Sequence, residues 1–323
     1  MSYRKTGMKK YISVIGGINI DIKGIADSGK EERDSYKGKI LFTPGGVARN
    51  ISENLARLGV KVYLLGTVGD DHFGNYVIKE TKKAGVITNL INKSKSTETA
   101  KYLSVSSTDK KIFYAVNDMK KSSEKTDANY IRENKEIIEN SSMVIIDLNL
   151  KRNVLEEIIK LSRRKQIPVF ADAVSSEKAV VFKKLNDRID YLSVNENEFK
   201  SLFGVTYKTN IYRNNQFRRN IKNFKNIILK KGSSGVSLLD TSEGSVLNCK
   251  ALKTKVTEPN GAGDSFNAGF IFAMLNGYSD SDALKIGTCA SFFTLRSGKS
   301  VSESINSKMI INLFQKKSQS NEF

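Results

Sequence analysis

Three small residues and one acid follow each other directly in the last third of the chain, as Gly261-Ala262-Gly263-Asp264. They lie within TEPNGAGDSFNAGF, and the apolar periodicity that follows predicts a helix. Glycines and an early acid are common at helix starts, because the helix dipole favours negative charge there. The same residues can also bind an anion through backbone N–H groups while Asp264 accepts a proton beside it. The run alone leaves both interpretations open.

Two further groups of small and polar residues lie near the N-terminus. Asn19 and Asp21 follow the first apolar run, and on an extended strand both point to the same side, which is typical of a turn or of acceptors for hydroxyls. TPGGVARN puts Gly45 and Gly46 before a predicted helix with Asn50 in its first turn. A glycine pair lets a bound molecule approach the backbone, although such turns also occur without function. No Gly-Lys-Ser/Thr follows, which excludes a Walker A loop.

Two later groups are also open to more than one interpretation. VNENEF places Asn195 and Glu198 three residues apart after an apolar run. Glu198 can hold a magnesium-bound water, or it can be an ordinary acid of a first helical turn. KKGSSG contains Lys230, Gly232 and Gly235 and predicts either a hairpin turn or a loop that contacts phosphate.

The elements that must position these residues alternate between short apolar runs and amphipathic stretches. YISVIGG, VKVYLLGTVG, SMVIIDLN, IPVFADA, DYLSVN and KNIILKKG are the strand candidates, and helical patterns fall between most of them. This alternation predicts an α/β fold with a mainly parallel sheet. Ligands of such sheets bind beyond the carboxyl ends of the strands. Helices are predicted near 261–277, 281–295 and 302–316.

Two segments, 22–44 and 97–118, interrupt this alternation and predict extended pairs, the second turning at Thr108–Lys110. Two strand pairs inserted into an α/β domain predict a small separate sheet that acts as a lid. Its edges can pair with another subunit, so we expect a homodimer through the lid. The polar tail, 317–323, is expected to be frayed.

The composition limits the class of protein. Only three prolines occur among the 323 residues, and no linker divides the chain. This favours a single domain that spans residues 1–323. The 53 Lys and Arg against 34 Asp and Glu give a formal net charge of +19, but the lysines form scattered pairs without a nucleic-acid-binding motif. We interpret the charge as a solvated surface that attracts anionic substrates, and a nucleic acid partner as the minor alternative.

The rare residue types exclude several kinds of site. One histidine, His72, rules out a cluster of histidine metal ligands, and Cys249 and Cys289 are too few and too far apart for a disulfide framework. The N-terminal apolar run of five residues is too short for a signal peptide, and no apolar segment is long enough to span a membrane. We therefore predict a cytoplasmic protein without membrane association.

The order of these motifs along the chain resembles that of the ribokinase-like, or phosphofructokinase-B type, carbohydrate kinases. The likeness spans roughly residues 11–310, and NGAGDSFNAGF and GGVARNISENLARLG are its most specific stretches. Within the family, GGINIDIKG, AVNDMK, IIDLNL and VFADAVSSEKA are most similar to the kinases of the nucleoside pseudouridine. The resemblance implies a three-layer α/β/α fold with a β-sheet lid, and transfer of the ATP γ-phosphoryl group to a sugar 5′-hydroxyl.

The resemblance also implies roles for the residues at the acceptor side. Asp264 would be the general base, and the N–H groups around Gly261, Ala262 and Gly263 would form the anion hole. An acid at a helix start is expected to be ionised at neutral pH. The residues implied for the ribose-like moiety are Asn19, Asp21, Gly45, Gly46 and Asn50. The candidates for contact with the base, each equally an ordinary cap or surface residue, are Asn149, Asp172 and Lys178.

On the nucleotide side the resemblance implies ATP and Mg²⁺ as cofactors. Asn195 and Glu198 would serve the phosphate and the magnesium ion, the latter through water. The residues implied for the nucleotide are Lys230, Gly232 and Gly235. Lys230–Lys231 departs from the Thr-Leu of many relatives, which puts the nucleotide contacts there in doubt. Glu258, with the segment RSGKSVS, matches the place where some relatives bind a monovalent cation such as K⁺.

Three classes of function are weighed on this basis. The first is a pseudouridine 5′-kinase, with ribose, inosine or ketodeoxygluconate as alternative acceptors within the family. The second is a nucleic-acid-binding or regulatory protein on the same fold, motivated by the charge. The third is a scaffold. Asp264 argues against the second, because a pure binder has no use for a base beside an anion hole. For the scaffold, the weakest of the three, Asp264→Ala should leave every measurable property unchanged.

Overall fold

The computed structural model describes residues 11–27, 35–107, 112–185 and 187–323. Within these residues the strands, in chain order, are β1 (Ile12–Ile15), β2 (Asn19–Ala26), β3 (Gly38–Gly45), β4 (Val62–Gly69), β5 (Ile91–Ser94), β6 (Ala100–Ser107), β7 (Ile112–Asp118), β8 (Val144–Asp147), β9 (Val169–Asp172), β10 (Ile189–Asn195), β11 (Phe224–Lys230), β12 (Val236–Asp240) and β13 (Ser245–Cys249).

The α-helices of the same residues are α1 (Val47–Arg57), α2 (His72–Lys83), α3 (Lys120–Glu124), α4 (Ala128–Glu133), α5 (Lys135–Glu139), α6 (Arg152–Arg164), α7 (Ser176–Ala179), α8 (Glu196–Phe203), α9 (Asn215–Asn220), α10 (Ala262–Leu275), α11 (Asp280–Ser297) and α12 (Ser307–Gln319). Short 3₁₀ turns cover Val180–Lys184, Ile211–Arg213 and Gly232–Ser234.

The central sheet has the order β13-β12-β11-β10-β9-β8-β1-β4-β5. Its strands from β11 to β5 are parallel, whereas β12 and β13 pair antiparallel at one edge. Parallel strands need crossover connections, and helices supply most of them here. The predicted mainly parallel α/β fold is therefore confirmed.

Helices cover both faces of this sheet, because alternate side chains of its strands point to opposite sides. In β8, Ile145 packs into the core beneath α1, α10 and α11, while Val144 and Ile146 pack into the core beneath α6 and α8. Each of these three side chains is fully buried. The result is the expected three-layer α/β/α arrangement.

A second sheet has the order β3-β2-β6-β7 and forms the lid. β2 pairs antiparallel with β3 and parallel with β6, from Asn19 opposite Gly45 to Ala26 opposite Gly38. The predicted segments 22–44 and 97–118 contain most of these strands, but the sheet begins earlier, at Asn19. The predicted turn at Thr108–Lys110 lies outside the described residues.

The C-terminal end differs from the expectation. Helix α12 begins at Ser307 and continues to Gln319, so it enters the segment 317–323 that we expect to be frayed. The ammonium of Lys317 pairs with Glu322 at 2.6 Å, and the rings of Phe314 and Phe323 lie 6.4 Å apart. These contacts, which the polar composition does not reveal, order the last residues. No helix of the described chain is long and apolar enough to cross a membrane.

Candidate active site

Two helix starts meet at the carboxyl edge of the central sheet. Asp264 lies in the first turn of α10 and Asn50 in the first turn of α1. The Nδ2 of Asn50 donates to Oδ2 of Asp264 at 2.8 Å. This contact joins segments 214 residues apart and places the predicted base against a predicted acceptor-binding residue.

The protonation of Asp264 corrects one expectation. Burial, and then the charge of Asp172, raise the pKa of Asp264 to about 7, although the hydrogen bond from Asn50 and the charge of Lys230 oppose the rise. The helix dipole alone predicts an ionised carboxylate. The surrounding protein outweighs the dipole, so the folded chain holds an acid that changes its charge near neutral pH.

The start of α10 has the geometry of an anion site. Gly261 adopts φ 79°, and a Cβ there would overlap the carbonyl oxygen of Ser300. The amide groups of Gly263 and Asp264 have no acceptor among the residues that the structure describes. Unbonded N–H groups at a helix start bind anions, and phosphate in particular. The predicted anion hole over Gly261, Ala262 and Gly263 therefore has donors to offer.

The predicted sugar-binding residues lie together where β2 and β3 leave the sheet edge. Asn19 Nδ2 donates to Oδ1 of Asp21 at 2.7 Å, while Oδ1 of Asn19 is buried and has no partner among the described residues. A Cβ on Gly45 would overlap the carboxylate of Asp21, and a Cβ on Gly46 would overlap the carbonyl of Gly17. Carboxylate and amide oxygens in this cradle can accept hydrogen bonds from the hydroxyls of a sugar.

Sequence reasoning missed Asp147, which supports this cradle from beneath. Its fully buried carboxylate accepts the backbone N–H groups of Gly17, Ala48 and Asn149, each at 2.9 Å. Burial raises its pKa, against the effect of these three bonds. The signal in the sequence was an acid that ends the buried strand VIID. Asp147 fixes the β1–β2 turn relative to the start of α1.

The three residues predicted to contact the nucleobase lie in two different places. Lys178 Nζ donates to Oδ1 of Asn149, and this pair lies beside the cradle, because the Asn149 amide would overlap a Cβ on Gly17. Asp172 instead accepts from Lys230 Nζ at 2.9 Å and from Asn267 Nδ2 at 2.8 Å, and its other oxygen accepts from the backbone of Val174. Asp172 thus belongs to the charged groups beneath the anion hole.

Lys230 is the cation of that group. Its ammonium would lie 3.2 Å from a Cβ on Gly263, next to the start of α10. Burial lowers the pKa of Lys230, but the charges of Asp172 and Glu198 outweigh burial and raise it. Lys230 is therefore a cation at neutral pH beside the predicted anion hole.

Glu198 and Asn195 form a reciprocal cap at the start of α8. Glu198 N donates to the Asn195 side chain at 2.9 Å, and Asn195 N donates back to Oε2 of Glu198 at 2.8 Å. Burial and the charge of Asp172 raise the pKa of Glu198. A nearby cation would relieve this repulsion. Oε1 of Glu198 also accepts from Asn195 Nδ2 at 2.7 Å, so both oxygens are bonded, each by a neutral donor. Such a carboxylate fits a magnesium ion held through water and substrate phosphates, as this ion is commonly bound, but not one that it coordinates directly.

A cavity of about 560 Å³ opens beside the anion hole and is large enough for a nucleotide. Its lining includes Lys230, Ala262 and Gly263, and also Gly232 and Gly235 at the 3₁₀ turn after β11. The apolar part, which the sequence analysis did not identify, is lined by Val236, Leu252, Val256, Phe266 and Leu295. KKGSSG is thus a hairpin turn that also lines a cavity.

Glu258 has a partner from the lid. Its Oε2 pairs with Lys23 Nζ at 2.7 Å, and its Oε1 accepts the backbone N–H of Asn260 at 2.9 Å. Both charged side chains are mostly buried, with 15 % and 16 % exposure. The acid predicted to bind a monovalent cation is therefore already neutralised by a lysine.

Comparison with known proteins gives one consistent family. The model of the pfkB family of carbohydrate kinases matches residues 9–306. The pseudouridine kinase of Escherichia coli is 31% identical over 289 residues, which cover 89% of this chain and 91% of that protein. The ribokinase of Lactococcus lactis is 26% identical over 291 residues, 88% of this chain and 90% of its own.

Solved structures agree in fold. A carbohydrate kinase from Agrobacterium tumefaciens is similar with a TM-score of 0.81 at 26% identity, covering 95% of this chain and 97% of its own. The ribokinase of Arabidopsis thaliana complexed with ribose and ATP has a TM-score of 0.83 at 20% identity, covering 95% and 99%. The latter likeness shows the shared fold.

Proposed function

Since the chain belongs to the pfkB family of carbohydrate kinases, a family of phosphotransferases with a sugar or nucleoside hydroxyl as acceptor, we propose that it phosphorylates the 5′-hydroxyl of pseudouridine with ATP. One observation carries the proposal. Asp264 lies between the acceptor cradle, to which Asn50 ties it at 2.8 Å, and the amides of Gly263 and Asp264, which have no acceptor among the described residues.

The chain's own groups account for the transfer. Asn19, Asp21 and Asn50 orient the sugar so that its 5′-oxygen faces Asp264. The 5′-hydroxyl proton passes to the carboxylate, the oxygen forms a bond to the γ-phosphorus, and the bond from that phosphorus to the β-phosphate oxygen breaks to release ADP. Positioning and charge neutralisation contribute most of the catalysis of such transfers.

The positive groups at the anion hole follow the moving charge. The amides of Gly263 and Asp264 and the ammonium of Lys230 stabilise the phosphoryl oxygens in the transition state. When bound, Mg²⁺ would neutralise the ATP phosphates, with Glu198 holding it through water. The adenosine would lie in the cavity of about 560 Å³, whose lining includes Lys230 and Gly263.

The preference for pseudouridine rests on two supports. One is the likeness to the pseudouridine kinase of E. coli, at 31% identity over most of both chains. The other is the pair Lys178 and Asn149, which lies beside the sugar cradle and can contact a polar base. A ribose alone would leave Lys178 and Asn149 without a ligand.

The test is ADP release from Mg-ATP with one acceptor at a time. Pseudouridine is compared with uridine, which differs in the bond between base and sugar, and with ribose, inosine and 5-dehydro-2-deoxygluconate. We expect kcat/KM to be highest for pseudouridine, with the product phosphorylated at the 5′-oxygen by mass spectrometry and NMR. A higher kcat/KM for ribose would replace our choice with a sibling activity, and RNA retention without turnover would favour a binding protein.

We further propose that the lid closes over the nucleoside and pairs with the lid of a second copy in the cytoplasm. Among the described residues the lid exposes Ile40, Phe42, Tyr114 and Val116, the third at 77 % exposure. An apolar sheet with open edges favours association. Analytical ultracentrifugation should give twice the 36.0 kDa chain mass, and Ile40→Lys with Val116→Lys should give the monomer. A monomeric wild type would contradict this.

A further inference from the structure

One row of side chains on β2 runs from the sugar cradle to the segment before the anion hole. Asn19, Asp21 and Lys23 alternate along the strand and so point to one side. The first two belong to the acceptor cradle, whereas Lys23 reaches Glu258, 235 positions along the chain. The lid strand therefore touches both halves of the reaction site.

Glu258 transmits this contact to the helix start. The backbone N–H of Thr257 bonds to the carbonyl of Leu295 at 2.7 Å, which anchors the segment to α11. Oε1 of Glu258 accepts from Asn260, the residue before the positive-φ Gly261. A displacement of Glu258 would thus move the peptide that sets the direction of the first amides of α10.

The site does not fit the monovalent cation that the family implies. Ser300 Oγ, in the loop packed against Gly261, is buried, has no partner within the described part of the chain, and offers one neutral ligand. However, both carboxylate oxygens of Glu258 accept bonds from the protein, one of them from an ammonium. A free cation at Glu258 would have to displace Lys23 or lie beside its charge.

We propose that Lys23 is a positioning residue that supplies the positive charge at Glu258 in place of a free monovalent cation, and so couples the lid to the anion hole. This rests on the proposed kinase function. The ammonium is carried by the strand that also holds Asn19 and Asp21. The Lys23 ammonium therefore lies at Glu258 only when the lid strand is docked, whereas a dissolved cation would bind independently of the lid.

The first test is the cation dependence of ADP release with pseudouridine, in KCl, NaCl and tetramethylammonium chloride at equal ionic strength. We expect the same wild-type kcat in all three salts. Lys23→Met should lose between about 5- and 150-fold in tetramethylammonium, the usual range of coupling between sites, and regain rate in KCl. Lys23→Arg should behave as the wild type.

Two further variants separate positioning from a general charge effect. Lys39→Met removes an exposed lysine of the neighbouring lid strand and should change nothing. Glu258→Gln should lose rate in every salt, because no carboxylate remains for K⁺ to join. A wild type that requires K⁺, or a Lys23→Met variant that matches the wild type in all salts, would overturn the proposal.

A second readout is independent of turnover. We expect the Tm of the wild type to be equal in KCl and tetramethylammonium chloride, and that of Lys23→Met to rise specifically in KCl. A specific rise in the wild type would overturn the proposal even if no tested acceptor is phosphorylated. Absence of turnover with unchanged Tm behaviour would count only against the proposed function.

Discussion

The molecule contains two helix starts with nearly the same backbone geometry but with different partners for their amide groups. Both α1 and α10 begin at a glycine with positive φ, Gly46 at 102° and Gly261 at 79°, and neither has a side-chain cap. The difference lies in the amide groups that follow each glycine. Whether a helix start binds a ligand depends on whether the protein has already bonded its N–H groups.

At α1 the protein uses the amides itself. Ala48 donates to Asp147 at 2.9 Å, Arg49 to the carbonyl of Gly17, and Asn50 to Gly46 at 2.7 Å. At α10 the amides of Gly263 and Asp264 have no acceptor among the described residues, and an acid and Lys230 lie beside them. We infer that the bonded amides of α1 fix the position of Asn50, and that the free amides of Gly263 and Asp264 at α10 are available to bind phosphate.

The largest effect is expected when the charge of the Asp264 carboxylate at the start of α10 is removed. Asp264→Asn keeps the shape and the contact with Asn50 but cannot take a proton. We expect kcat to fall by about 10²- to 10⁴-fold, the usual contribution of a general base, while the Kd for ATP by calorimetry stays close to wild type.

Asp282 provides the matched control, because it is also an acid in a first helical turn, that of α11. Asp282→Asn should leave kcat unchanged. If both variants keep wild-type kcat, the acid at α10 is only an ordinary helix-start residue.

The next largest effects are expected at the two glycines that begin these helices, and they should differ in the kinetic constant that changes. Gly261→Ala forces the start of α10 away from Ser300 and misdirects the amides, so we expect kcat to fall by about 10²- to 10³-fold, as for loss of an oxyanion donor. Gly46→Ala strikes the carbonyl of Gly17 in the acceptor cradle and should mainly raise the KM for the nucleoside.

Gly277 controls for backbone strain alone, because it has φ 78° and a Cβ added there would meet no atom within 4 Å. Gly277→Ala should cost only about 1 kcal/mol of unfolding free energy or somewhat more. Identical kinetic effects of Gly261→Ala and Gly46→Ala would show that the two helix starts do not differ in role.

A smaller effect is expected at the internal acceptor of α1. Asp147→Asn offers an oxygen on one side only, so at least one of three backbone N–H groups faces an NH₂ group. We expect a loss of about 1–3 kcal/mol in urea unfolding and a raised KM for the nucleoside, with the Kd for ATP unchanged.

Asp190 accepts the backbone N–H of Val169 at 2.9 Å, away from the site. Asp190→Ala removes this acceptor and should therefore lower stability without changing KM. An equal rise in KM for both variants would mean that the effect of Asp147→Asn is a general loosening.

The start of α10 was predictable from the sequence because its parts are local. Gly261, Gly263 and Asp264 are neighbours in sequence, and glycine followed by an acid at a helix start has few physical explanations. The alternation of apolar runs likewise predicted the parallel sheet, since strands buried on both faces are continuous in hydrophobicity.

What the sequence did not predict depends on register and burial. Asp172 contacts Lys230 because β9, β10 and β11 are adjacent in the sheet and their register aligns the two residues. A local sequence pattern does not contain this register. Lys23 continues the alternation of Asn19 and Asp21, but its partner lies 235 positions away. The apolar cavity wall consists of ordinary core residue types, and the raised pKa of Asp264 comes from groups brought together by folding.

The last and smallest expected effect is on pH dependence, and it tests the electrostatics of α10. Because the pKa of Asp264 is about 7, we expect kcat/KM to rise with pH through 7 and to be about tenfold lower at pH 6 than on the alkaline plateau. Asp172 contributes to the high pKa, so Asp172→Asn should move the profile to lower pH.

Stability gives the same information without substrate. The pKa of Asp264 is raised from 3.8 to about 7, so between these pH values the folded chain binds more protons than the unfolded chain. Stability at this group therefore falls as pH rises through the window. Asp264→Asn lacks this loss, so its Tm relative to wild type should increase from pH 4 to pH 8. A constant difference across that range would mean that Asp264 is ionised throughout, and α10 would then differ from α1 in its free amides alone.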